Sequence, residues 1–77
     1  MTAAASAARE VKTFENDAGD QRVVILERAD GAYTFCRQWL ENGVWGDLGP
    51  AVGIYDSVWT AECEARDRTP WLASLFN

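Results

Sequence analysis

Few kinds of side chain in this sequence could do chemistry. Cys36 and Cys63 are its thiols, and there is no histidine. A thiol becomes a useful nucleophile or metal ligand when a cation, an imidazole or a second thiol lowers its pKa. Neither cysteine belongs to a CxxC pair. Without histidine, Cys-His and Ser-His pairs, mixed Cys/His zinc sites and imidazole acid–base catalysis all drop out. Both cysteines read as small buried hydrophobes, able to meet across a sheet–helix interface only as a packing contact.

The twelve carboxylates are the next candidates. Glu62 and Glu64 stand two apart on a predicted helix and cannot share a face. Neither has an evident partner in Asp47 or Asp56. Glycoside chemistry needs two convergent carboxylates and a hard cation needs several oxygens, and this spacing supplies neither. A solvated acidic surface is the simpler reading. Gly43, Gly46, Gly49 and Gly53 are close enough to suggest a phosphate loop, but no Gly-Lys-Ser/Thr follows and no GxGxxG opens a helix. Turn geometry around Pro50 accounts for them. No catalytic residue, cofactor site or metal site is expected.

Arg22, Arg28 and Arg37 interleave with Tyr33, Phe35 and Trp39, and arginine beside aromatic rings can stack single-stranded bases. Seven basic against twelve acidic side chains give a net charge of −5, the wrong sign for tracking phosphates. Cross-strand cation–π packing, or pairing with Glu27 and Glu41, is favoured instead. Trp39, Trp45, Trp59 and Trp71 remain. Four large amphipathic rings are hard to hide in 77 residues, and Trp, Tyr and Arg are favoured at binding hot spots.

These residues must be held by one small domain, since 77 residues is too short for two. Of its 48% hydrophobic residues many are alanine, so the core is modest. The Ala-rich start lacks the basic and Leu/Val-rich regions of a signal peptide, and no apolar run approaches the length of a membrane span. A cytoplasmic protein with reduced thiols and no membrane contact is expected.

Residues 1–21 read as a mobile N-terminal tail, in which 1 to about 10 are disordered and Val11 to Phe14 are candidates for docking on the body. The single domain spans 22–77. Val23-Val24-Ile25-Leu26 and the run from Tyr33 to Leu40, joined through Ala29-Asp30-Gly31, make a β-hairpin. Asn42-Gly43 signals a second turn before a third strand at Val44-Trp45, and residues 46–50 form a loop. Val52 to Tyr55 return briefly to extended structure. Asp56 or Ser57 caps a helix whose stripe is Val58, Ala61 and Ala65, and Pro70 ends it. Trp71-Leu72 fold back on the core, with Leu75 and Phe76 as an extension. The expected fold is α+β: a small antiparallel sheet of about three strands with one C-terminal helix on one face, in the order β-β-β-α.

The hairpin Asp30-Gly31-Ala32-Tyr33-Thr34-Phe35, the helix start Gly53-Ile54-Tyr55-Asp56-Ser57 and the ending Pro70-Trp71-Leu72 together resemble a group of short, uncharacterised bacterial proteins. The resemblance covers about residues 22–72 and implies no activity, ligand or site residue. The order of strands and helix is also similar, at fold level only, to DNA-binding domains of the three-strand-plus-helix kind, and function does not follow from fold.

With a three-residue Ala29-Asp30-Gly31 loop, Glu27 faces Tyr33, Ile25 faces Phe35 and Val23 faces Arg37. One face then carries Val23, Ile25, Tyr33, Phe35 and Trp39, and the other Val24, Leu26, Cys36 and Leu40. A two-residue loop would instead set Leu26 opposite Phe35. Either way both faces are apolar, and one helix covers one of them. The other needs Val11 and Phe14, the segment after Pro70, or a second molecule. An exposed aromatic patch marks an interface, so Tyr33, Phe35, Arg37 and Trp39 are the expected interaction surface. The chain reads as a non-catalytic interaction module that forms a homodimer or binds a protein partner. The alternative, a nucleic-acid-binding domain, is disfavoured by charge.

Overall fold

The computed structural model describes residues 8–75. An antiparallel sheet is built from β1 (Arg9–Glu15), β2 (Gln21–Glu27), β3 (Tyr33–Glu41), β4 (Val44–Trp45) and β5 (Val52–Tyr55). The order is β1-β2-β3, with β4 and β5 one after the other along the far edge of β3, β4 at its Glu41 end and β5 at its Tyr33 end. Two helices follow, α1 (Val58–Arg68) and α2 (Pro70–Leu75). The class is α+β as expected, with five strands and two helices in place of about three and one.

The β2–β3 register is the one a three-residue loop dictates. Glu27 pairs with Tyr33, Ile25 with Phe35 and Val23 with Arg37. The Arg28 N–H donates to the Ala32 carbonyl at 2.7 Å, and Gly31 takes φ +86°. β1 is the strand that composition hides. Val11 and Phe14 stand three apart, which no regular strand can place on one face. A bulge between Glu10 and Lys12 inserts Val11 as an extra residue, and both side chains then pack toward the same core. Arg9 and Glu10, assigned to the tail on composition, open this strand, so the sheet begins well before Arg22. The tail expectation for residues 1–7, and the extension at Phe76, lie outside the described residues.

α1 starts where Ser57 Oγ accepts from the Thr60 N–H at 3.1 Å. Ala61 and Ala65 are fully buried, and their small size lets the helix lie close on Val23, Ile25 and Phe35. Thr69 closes α1 in extended backbone, and its carbonyl accepts from Leu72 and Ala73. Pro70 therefore ends one helix and opens another, a position where its missing N–H costs nothing. α2 returns Leu72 to the core and lets the Trp71 indole donate to Gln21 Oε1 at 3.1 Å. β5 needs Gly53, whose φ is +68° and whose Cβ, if present, would collide with the Tyr55 ring and hydroxyl.

Val11, Phe14, Trp71 and Leu72 thus all join the helix-covered face, so these candidates for covering the opposite face lie on the side that α1 already covers. There, Val24, Leu26 and Cys36 form a second, smaller buried cluster. Trp45, paired with Leu40, belongs to this face, with the Arg22 guanidinium 3.8 Å above its ring and Glu15 beside it. Burial pushes the Cys36 thiol up, and both cysteines are free. Among the described residues, no helix is long and apolar enough to cross a membrane.

Candidate interaction surface around Trp39

The four residues of the expected surface lie on the helix-covered face of β3, and the helices divide them. Phe35 is 0% exposed beneath α1 and α2 and offset-stacked on Tyr55, with ring centres 6.3 Å apart. It is core, and contact with a partner is closed to it. Tyr33, opposite Tyr55, packs half-buried at the edge of the same cluster. Arg37 donates from Nη2 to the Arg68 carbonyl at 2.7 Å and to Thr69 Oγ1 at 3.2 Å, placing its charge at the negative end of α1. Trp39 alone stands out, 48% exposed.

The division follows from lengths. Nine residues of β3 extend about 30 Å, whereas eleven residues of α1 extend only about 16 Å. Even with α2 folded back, the far end of the strand overhangs. Phe35 and Trp39 alternate onto one face, but only the first lies under the helices.

The segment after β4 gives Trp39 a wall. The Gly46 N–H donates to the Trp39 carbonyl at 3.0 Å and the Gly49 N–H to the Arg37 carbonyl at 2.8 Å, laying residues 46–51 along the strand edge. A Cβ on Gly49 would stand 3.3 Å from the Arg37 carbonyl oxygen, so this close approach favours glycine. Gln38 ties the loop further, donating to the Gly46 carbonyl at 2.7 Å. The result is an apolar cavity of about 190 Å³ lined by Arg37, Trp39, Gly49, Pro50 and Val52. Pro50 and Val52 were not singled out by the sequence reading, although the glycine spacing around Pro50 marked the loop that places them. Cofactor and substrate pockets run from about 300 to 1,000 Å³. This one has room for a single side chain.

The charges around it are unbalanced. All seven cations are engaged within the chain. Arg9 pairs with Glu27, Lys12 with Glu62, Arg28 with Asp30 and Arg68 with Glu64. Arg22 sits between Glu15 and Trp45, Arg37 is bound at the α1 terminus, and Arg66 lies over Trp59. Of the two alternatives expected for the hairpin arginines, Arg22 takes the cation–π packing, on Trp45, while Glu27 pairs with Arg9 of the added strand. Arg28 holds the Asp30 carboxyl below its usual value. Glu62, read as part of the solvated surface, is 4% exposed and receives Lys12 Nζ at 2.8 Å. It shares the buried side of α1 with Ala61 and Ala65. Among the described residues, seven carboxylates are left outside any ion pair, all exposed: Glu10, Asp17, Asp20, Glu41, Asp47, Asp56 and Asp67.

Four of those seven gather at the Trp39 end. Gln21 is opposite Trp39 and the Asp20 carbonyl accepts from the Leu40 N–H at 2.9 Å, so the turn carrying Asp17 and Asp20 lies beside it. Glu41 follows Trp39 on the same face, and Asp47 follows Gly46 in the loop wall. Among the described residues, no three His, Cys, Asp or Glu side chains are grouped to hold a metal ion. Comparison with protein-family models, with curated proteins and with solved structures finds no match to this chain.

Proposed function

We propose that this chain is a small, non-catalytic interaction module that binds another protein through the Trp39 end of its sheet. The observation that carries the reading is the contrast along β3: Phe35 is wholly enclosed, while Trp39 is left half exposed beside a cavity sized for one side chain. A preformed pocket walled by a large amphipathic ring is the arrangement of a binding hot spot. The loop hydrogen bonds hold that wall in place, so little ordering entropy opposes binding. A nucleic-acid partner gains no support, because every cation already has an internal partner and phosphate binding needs cations to neutralise it. A homodimer through this surface would bring two acidic ends together.

The test is in-cell photocrosslinking with benzoylphenylalanine at position 39, and separately at exposed Trp59 as a control. A discrete product with a second protein species at position 39, absent at position 59, is expected. Crosslinking to a second copy only, or none, would overturn the reading.

A further inference from the structure

Resting on the interaction reading above, we infer that the Trp39 pocket receives a basic segment of its protein partner, the stem of one lysine or arginine lying on the indole and Pro50. Three features of the surface select this chemistry. The cavity, about 190 Å³, fits a long unbranched side chain and is too small for a folded ligand. Its aromatic wall attracts a cation above the ring face. At the same end of the sheet are the turns and strand end that carry Asp17, Asp20, Glu41 and Asp47, none in an ion pair among the described residues, in a chain whose net charge is −5.

The cation in the wall does not cancel this. Arg37 is bonded to the Arg68 carbonyl and Thr69, so the end of α1 offsets part of its charge. The same electrostatics reject the other occupants. A second copy would press four unpaired carboxylates against four more, and an acidic segment meets the same repulsion. Within a Debye length of about 8–10 Å such repulsion is only partly screened. Complementary charge chiefly sets partner choice and encounter rate, so the carboxylates act as the selector and Trp39 as the anchor.

Random short peptides displayed on phage, selected on the immobilised full chain, test this directly, with Trp39→Ala as counter-selection and its melting temperature as the check on folding. Enriched peptides should carry more Lys and Arg than the input library. They should lose at least about tenfold in affinity on Trp39→Ala, and about tenfold at low salt on the Glu41→Gln, Asp47→Asn double change. Enriched peptides that require Trp39 but are neutral or acidic would overturn the basic partner and leave the interaction reading standing. No Trp39-dependent enrichment, with Trp39→Ala folded, would remove both.

Discussion

The two ends of β3 make opposite use of the same kind of residue. At the Tyr33 end, Phe35 lies under Ala61, Ala65 and Leu72 and stacks on Tyr55. At the Glu41 end, Trp39 stands beside a cavity with acidic turns on either side. Composition does not separate them. What separates them is that the strand is about twice as long as the helix laid on it. Aromatic residues on one sheet face therefore divide into core and surface by position along the strand.

The largest expected effect falls on the covered end. Ala65→Asp places a charge in a fully buried apolar cluster and should cost roughly 3–5 kcal/mol. In a domain this small that is most of the stability, so loss of the cooperative thermal transition is expected. A melting temperature near that of the parent would show that α1 is not seated there.

Gly53→Ala follows. It imposes a left-handed backbone on alanine and drives a Cβ into Tyr55, the ring stacked on Phe35. A loss of about 1–3 kcal/mol in urea unfolding is expected, and an unchanged midpoint would mean β5 does not hold the covered end. Lys12→Met should cost about 1–3 kcal/mol by leaving Glu62 buried without its cation, and adding Glu62→Met should recover much of it. If the double variant is less stable than the single, the pair does more than compensate charge.

Much of the covered end was legible in the sequence. Of the two loop lengths the hairpin allows, the three-residue one gives the observed partners of Tyr33, Phe35 and Arg37, and Ser57 is one of the two residues marked as the cap of α1. The alanine stripe pointed to the close side of the helix. β1 was not legible, because its bulge breaks the two-residue period that reveals a strand. Glu62 was misplaced because a charged residue beside Ala61 looks solvated until Lys12 of that hidden strand is brought to it. The interaction surface was legible in part. Register put Phe35 and Trp39 on one face, but which of them the helix reaches is a tertiary length that local sequence does not carry.

The acidic end should respond least in stability. Glu41→Gln with Asp47→Asn removes two exposed, unpaired charges and should change unfolding by no more than about 0.5 kcal/mol. A clear destabilisation would assign these carboxylates to holding the loop rather than to meeting a partner.

The central claim, that one strand is core at one end and surface at the other, is tested most directly by urea unfolding of Phe35→Ala and Trp39→Ala side by side. Phe35→Ala is expected to lose about 3–5 kcal/mol, and Trp39→Ala no more than about 1 kcal/mol, because its ring is half in water already. Equal losses for the two would make Trp39 a core residue and contradict the account.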